Sequence, residues 1–328
     1  MMNRRLLLGA SAALPFLASG AAEARAPFKN QTAPAWYRFK IGEFEATVVS
    51  DGRLPLGAIP PAFPTAPPEE AAQLMREAFL PPDSATLEQN ALVLNTGREL
   101  ILFDTGMGDS MGAQSKMFGP TTGKLLQNMR AAGIEPSQID LVCASHAHCD
   151  HVWALVNGKG QRNFPNARVA ISDADLRYWT DDNNKRGPSF MPAFIDGAKK
   201  NLGAYRRDRL QIVNDGKEVV PGVTAFSAPG HTVGHHVYAI RSGDRTLVYT
   251  GDLAHHQVLL LRKPLWEFSF DTDPKQSAQT RSRFLDRFAT DREQMLSYHF
   301  PWPGIGHVAR EGDGYEWIPT PMNLTAVS

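Results

Sequence analysis

The sequence predicts an α/β (α+β) fold, a helix-sheet-sheet-helix sandwich, on three observations. Strand-like alternation of apolar residues recurs in both halves of the chain. Helical spacing falls between those strands rather than in a separate block. Seven metal-ligand-type residues, His or Asp, lie at the ends of successive apolar strands. Two sheets that each bury one face against helices and the other against each other satisfy this pattern. Periodicity alone leaves the strand order open.

The elements follow in order. Residues 27–37 lack periodicity and read as an extended arm. Arg38 to Ile41 and Phe44 to Val49 alternate around Gly42 as a hairpin, and Ser50-Asp51-Gly52 ends the second strand. Residues 53–68 hold six prolines, too many for a regular element, and predict a loop. Pro67-Pro68-Glu69-Glu70 opens a helix to about Leu80, with proline and acids in its first turn. Leu87 to Leu94 and Glu99 to Phe103 flank Thr96-Gly97 as a second hairpin. A helix over Thr122 to Ala132, a strand over Ile139 to Ala144 and a strand over Arg168 to Ile171 come next. A short helix from Asp173 to Trp179, capped by Asp173, precedes a polar loop at 181–189 and a helix over Ala193 to Tyr205. Strands are expected at Leu210 to Val213, Val223 to Ser227, His236 to Arg241 and Thr246 to Thr250, the last two joined by Ser242-Gly243-Asp244. A helix from Lys275 to Phe288 and a strand from Met295 to Tyr298 close the pattern.

Composition narrows the function classes. Lys+Arg and Asp+Glu both total 34, so no basic excess points to nucleic acid and no acidic block suggests an interaction tail. Met1 to Arg5 is basic, Leu6 to Ala22 is apolar, and Ala24-Arg25-Ala26 fits a small-x-small cleavage site. Residues 1–26 therefore read as a cleaved export signal, and Asn3-Arg4-Arg5-Leu6-Leu7-Leu8 resembles a twin-arginine one. That places the mature protein, residues 27–328, in the periplasm or outside the cell. No later apolar run is long enough to span a bilayer. Residues 38–328 are expected to form a single domain. Cys143 and Cys149 are expected as free thiols, the first in a buried strand and the second inside a His-rich motif.

That motif, His146-Ala147-His148-Cys149-Asp150-His151, comes after an apolar strand and precedes the apolar run Val152 to Val156. Imidazole nitrogen and carboxylate oxygen suit zinc and similar divalent ions. Alternation puts His146 and His148 on one side of an extended segment, while Asp150 and His151 can face a second ion. His231 in Pro229-Gly230-His231-Thr232, Asp252 in Thr250-Gly251-Asp252 and His299 after Tyr298 complete the set, with His307 as the rival for the last position.

This motif set resembles the metallo-β-lactamase superfamily over roughly residues 38–310: His-x-His-x-Asp-His, a His in Gly-His-Thr, a Gly-Asp and a late His. Within it, Phe118-Gly119-Pro120-Thr121 with Gly123-Lys124-Leu125-Leu126, and His299-Phe300-Pro301-Trp302-Pro303-Gly304-Ile305-Gly306-His307, look like methyl parathion hydrolase and its lactonase-like relatives. The resemblance implies an αββα sandwich and two divalent ions, with Zn2+ expected and Mn, Co or Fe as alternatives. His146, His148 and His231 would hold the first ion. Asp150, His151 and His299 would hold the second, and Asp252 would bridge them together with a hydroxide. Asp104 and His235 would orient ligands without touching an ion. Two cations about 3.5–4 Å apart can deprotonate a bridging water, which then attacks a lactone or ester carbonyl or an organophosphate phosphoryl centre. Asp150, Asp252 and His255 are the residues expected to take part in the chemistry.

Two departures bear on substrate. Cys149 replaces the proline usual in that family's motif. His255 stands three positions after the bridging Asp, where acyl-homoserine lactonases carry a carbonyl-polarising Tyr. Phe118, Trp179, Phe190 and Phe194 are expected either as walls of an apolar pocket or as core, and His256 either beside substrate or in a surface turn. Partners are then a small-molecule substrate and, by resemblance, a second copy in a homodimer. The rival readings are a β-lactamase- or thioesterase-type hydrolase of the same fold, or a non-enzymatic periplasmic metal-binding protein. Cys149 as nucleophile is disfavoured because its His neighbours are committed to metal.

Overall fold

β1 (Trp36–Ile41) turns at Gly42 into β2 (Phe44–Ala58), the longest strand among the described residues. The computed structural model describes residues 33–205 and 209–324. The expected export signal at 1–26, and the arm up to residue 32, lie outside the described residues. Every element belongs to the unit Pro34–Ser328. After β2 come α1 (Ile59–Ala62), α2 (Pro68–Glu77), β3 (Ser84–Asn95), β4 (Leu100–Phe103), α3 (Ala113–Phe118) and α4 (Leu125–Ala131). Then come β5 (Leu141–Cys143), α5 (Cys149–Val152), β6 (Arg168–Ser172), α6 (Asp173–Trp179), α7 (Met191–Gly203) and β7 (Leu210–Val213). The second half holds β8 (Lys217–Val220), β9 (Val223–Ser227), β10 (His236–Ser242), β11 (Arg245–Tyr249), α8 (Leu259–Arg262) and α9 (Pro274–Asp291). It closes with β12 (Met295–Leu296), β13 (Ile305–Glu311) and β14 (Gly314–Pro319).

The strands form two seven-stranded sheets, β1 to β7 in chain order and β14 back to β8. In the first, β1 to β4 pair antiparallel and β4 to β7 pair parallel. In the second, all pairs are antiparallel except β11 with β12. Side-chain alternation divides the second sheet between two cores. Tyr238, Ile240, Leu247 and Tyr249 face the core shared with the first sheet. Val237, Val248 and Phe226 face the other, which Phe284, Leu285 and Phe288 of α9 cover. Each buried Leu, Val or Phe contributes roughly 1.5–3 kcal/mol over leaving it exposed. The expected α/β sandwich is the observed one. Among the described residues no helix is long and apolar enough to cross a membrane.

Several boundaries differ from expectation, each for a local reason. β1 begins at Trp36, two residues into the expected arm, because Trp36 pairs with Val49. β2 does not stop at Ser50-Asp51-Gly52: it continues beside β3 to Ala58, with irregularities at Ser50/Gly52 and Pro55/Gly57. A bulge accommodates the missing proline N–H, so residues 53–58 form strand where a loop is expected. The buried Asp51 at the first irregularity accepts hydrogen bonds from the backbone N–H of Met107 (2.9 Å), Gly123 (3.0 Å) and Leu125 (2.8 Å). Burial pushes its carboxyl up to about 6 despite those three donors. α4 starts only at Leu125, since Thr122 Oγ1 closes a turn on the Gly119 carbonyl instead. Ser172, not Asp173, caps α6, its hydroxyl accepting the Asp175 N–H at 3.1 Å. The strand expected over Met295 to Tyr298 shrinks to Met295–Leu296, and the β13–β14 hairpin and β8 have no counterpart in the sequence pattern.

Candidate metal centre

The His-rich motif leaves β5 at the seam of the two sheets. Ser145 is held by Asp104, which accepts its N–H and its hydroxyl at 2.7 Å each. His148 is still extended, and α5 begins at Cys149, so the chain turns and presents Asp150 and His151 on a different side from His146 and His148. The second sheet supplies His231 after β9, Asp252 after β11 and His299 after β12. Gly251 must precede Asp252: its φ is +49°, and a Cβ there would stand 2.8 Å from His235 Nε2. All seven side chains are buried. Their ligand atoms gather into groups that can hold a metal ion: His146 with His148 and His231, His146 with His151 and Asp252, and Asp150 with His151 and His299. His231, Asp252 and His255 make a fourth.

Hydrogen bonds behind the rings fix their tautomers. His231 Nδ1 lies 2.8 Å from Asp271 Oδ1, His151 Nδ1 2.8 Å from Asp104 Oδ2, and His299 Nδ1 2.9 Å from the Glu88 carbonyl. These oxygens only accept, so each Nδ1 carries the proton and each Nε2 of a neutral ring is a bare lone pair. Ser145 Oγ gives its proton to Asp104 and so accepts from His146 Nδ1 at 3.0 Å. The lone pairs then face other acceptors. His231 Nε2 is 3.1 Å from His146 Nε2 and 3.2 Å from Asp252 Oδ2, and His299 Nε2 is 3.1 Å from Asp252 Oδ2. His151 Nε2 is 3.2 Å from Asp252 Oδ1. His148 Nε2, His151 Nε2 and Asp252 Oδ1 are buried without a hydrogen-bond partner. Acceptors packed this closely repel unless a cation lies among them, and this nitrogen and carboxylate set fits divalent ions. Burial opposes charge on His231, yet Asp252 and Asp271 beside it push it up to about 9.

The residues expected to orient ligands do sit behind them. Asp104 takes a fourth hydrogen bond from Tyr249 Oη at 2.8 Å and holds a left-handed φ of +58°. His235 lies 3.0 Å from the Ala228 carbonyl through Nδ1 and accepts the Asp252 N–H at Nε2 (3.1 Å), so it fixes the backbone of Asp252. Burial pulls His235 down to about 3, so it stays neutral. Other supports carry no motif. Gln89 on β3 donates to Asp150 Oδ2 at 2.9 Å, and Tyr298 Oη donates to the Asp150 carbonyl at 2.7 Å. Asp175 on α6 accepts from Ala147 N–H (2.9 Å), Thr232 Oγ1 (2.9 Å) and Gly234 N–H (2.7 Å), tying the His146–His148 segment to the His231 loop. No motif or spacing in the sequence marks Asp175.

A cavity of about 230 Å³ opens over His148, Asp150, His231, Asp252, His255 and His299. Phe118 and Phe194 line it as expected, joined by Leu54, Leu56, Met117, Phe268 and Phe270, which the sequence pattern does not single out. Trp179 and Phe190 do not line it, which corrects the pocket assignment. Trp179 packs edge-on against His148 with centroids 4.7 Å apart, and Phe190 supports Phe194 (4.9 Å) and Phe270 (5.0 Å) from behind. His256 does not line this cavity: its Nδ1 accepts the N–H groups of Val258 and Leu259 and caps α8. Both cysteines are free and buried.

The model of the metallo-beta-lactamase superfamily matches residues 85–299, from β3 to the last His of the cluster. The chain belongs to that superfamily. Within the metallo-beta-lactamase superfamily, it is similar to the solved structure of AidC, described as a dizinc quorum-quenching lactonase in complex with a product. That likeness has 29% identity and a TM-score of 0.79, covering 88% of this chain and 98% of the other. The solved hydrolase AbOPH is 26% identical with a TM-score of 0.79, covering 89% of this chain and all of the other. The N-acyl homoserine lactonase AttM of Rhizobium johnstonii is 26% identical over 134 residues, 40% of this chain and 47% of the relative. An N-acyl homoserine lactonase of a Bacillus species is 27% identical over 155 residues, 44% of this chain and 54% of the relative. The chain spans about half the length of these two lactonases. Such metallo-beta-lactamase relatives and the His/Asp groups together support a metal-dependent hydrolase.

The late histidine gives a direct check. His307 is on β13, half-buried in a separate cleft beside Lys40 and Arg292, whereas His299 faces Asp150 and Asp252. His299→Ala is expected to lose one of two ions and most hydrolysis, and His307→Ala to keep both. Metal analysis of the two purified variants decides, and the reverse pattern would hand the role to His307.

Proposed function

We propose that the protein is a binuclear metal-dependent hydrolase of uncharged lactones or esters that carry an apolar substituent. The observation that carries this reading is the cavity itself: a His/Asp floor under walls of Leu, Met and Phe, with no Lys or Arg among its described lining residues. His146, His148 and His231 would hold one ion, Asp150, His151 and His299 the other, and Asp252 both. Bound there, two ions would activate water near neutral pH and polarise a carbonyl. The chain's own part is positioning. Gln89 and Tyr298 aim Asp150, Asp104 aims His151, and Asp271 aims His231. Phe118, Phe194, Phe268 and Phe270 exclude water and seat an acyl or aryl group.

Away from the two ions, a substrate carboxylate would find no Lys or Arg among the described lining residues to pair with, which disfavours penicillins. The lactonase relatives support the carbonyl class. The experiment is a hydrolysis panel on the zinc-loaded protein: N-hexanoyl-homoserine lactone, an aryl ester, a penicillin and an aryl phosphotriester. The lactone or the ester is expected to exceed the penicillin by roughly a hundredfold in kcat/KM, the equivalent of about 2.7 kcal/mol. Penicillin turnover at or above the lactone would sink the reading, and dominance of the phosphotriester would move it to phosphoryl chemistry.

A further inference from the structure

We propose that His255 is a metal ligand, joining His231 and Asp252 around one ion, and does not polarise the substrate. The proposal rests on the metal-dependent reading above. His255 Nε2 lies 3.0 Å from Asp252 Oδ2, and its ring centroid lies 4.6 Å from that of His231. The ligand atoms of His231, Asp252 and His255 fall within 4.8 Å of one another. Donors at about 2.0–2.2 Å from a tetrahedral zinc stand roughly 3.4 Å from each other, and closer when the shell is fuller. Separations of 3.0 Å for His255 and 3.2 Å for His231 from the same carboxylate oxygen fit atoms that share an ion, and fit a hydrogen bond as well.

The ring is also held away from a substrate role. One face stacks on Phe268 with centroids 3.8 Å apart and planes at 24°, and His299 lies near-parallel at 5.3 Å. Turning the imidazole would break that stack. Nδ1 is buried without a partner, so a substrate oxygen in the cavity does not reach it. Nε2 points at Asp252. Neither nitrogen is offered to a carbonyl, although His255 does line the cavity. The tyrosine found at this position in acyl-homoserine lactonases thus has no functional counterpart here. The ion near His231 would draw on His146, His148, His231, Asp252 and His255. The side with Asp150, His151 and His299 has fewer protein donors and remains the more open one toward substrate.

The competing role is a hydrogen bond from Nε2–H to Asp252, and two substitutions separate it. His255→Leu removes both a ligand and a donor, whereas His255→Gln keeps an N–H for Asp252 with a much poorer ligand atom. The full chain is prepared metal-free, its thermal unfolding is compared with that of the variants, and each protein is titrated with zinc and, separately, with cobalt(II). Wild type is expected to bind two ions per chain. Both variants should bind one of them at least about tenfold more weakly, the scale at which even indirect ligand support acts. Their cobalt(II) spectra should gain visible intensity as the coordination number falls, while metal-free unfolding of the Gln variant stays unchanged. Two ions bound with wild-type affinity by the Gln variant, with an unaltered cobalt spectrum, would overturn the proposal and leave a hydrogen-bonding role. Absence of zinc uptake by wild type would overturn the metal-dependent reading itself.

Discussion

Asp252→Ala is expected to empty both metal positions and to lower hydrolysis by more than a thousandfold. Asp252 faces both groups of rings: Oδ1 is 3.2 Å from His151, and Oδ2 is 3.1 Å from His299 and 3.2 Å from His231. Without it, inward-facing imidazole lone pairs lose the negative charge that would draw two dications together. Metal ions supply several kcal/mol of barrier lowering, and a thousandfold loss corresponds to about 4 kcal/mol. Asp252→Asn keeps the shape and the His235 contact to the backbone but not the charge, so an intermediate loss is expected. Elemental analysis and kinetics on both variants measure this. An Ala variant with two ions and full turnover would remove Asp252 from the centre.

Asp104→Ala is expected to cost at least about 4 kcal/mol of stability in the metal-free chain, because four buried donors lose their acceptor at about 1–3 kcal/mol for each left unsatisfied. Those donors are the Ser145 N–H and hydroxyl, His151 Nδ1 and Tyr249 Oη. The backbone adds to it, since Asp104 adopts φ +58°, where Asp is tolerated better than Ala. Asp104→Gly relieves that part, roughly 1–2 kcal/mol, and leaves the hydrogen-bond loss. Urea unfolding of the three proteins separates the two contributions. An Ala variant within about 1 kcal/mol of wild type, on the order of an ordinary surface substitution, would contradict the account.

The His/Asp cluster was legible because chemistry and position coincide in it. Four ligand-type residues in six come after an apolar strand, and His231, Asp252 and His299 each come after another. What supports them was not legible. Gln89 sits inside a strand, Asp175 inside a helix and Asp271 in a loop, and each matters only through partners 28 or more positions away. The fold shows the same division. Alternation reveals β9, β10 and β11, whose faces meet different cores. It fails at β2, where Pro55 and Gly57 signal a loop but a bulge keeps the strand paired. It also misses β13 and β14, although Gly312, at φ +57°, supplies the turn between them. Trp179 and Phe190 are misplaced at the pocket because an aromatic near the mouth reads the same whether it faces substrate or braces the ring that does.

Three consecutive residues of β3 each serve a different part of the centre. Leu87 forms cavity wall, the Glu88 carbonyl holds His299 Nδ1, and the Gln89 amide holds Asp150. The strand is pinned on one side by β2, and on the other the Glu88 and Asn90 N–H groups donate to the carbonyls of His299 and Tyr298, so these three move as one rigid ruler. A bulkier substrate that pressed on Leu87 would strain the seats of His299 and Asp150 in the same motion. Substrate range and ion geometry are therefore mechanically linked along this edge. New specificity is more readily gained at Met117, Phe268 and Phe270, which line the cavity from outside the sheets, than by altering the strand that carries both duties.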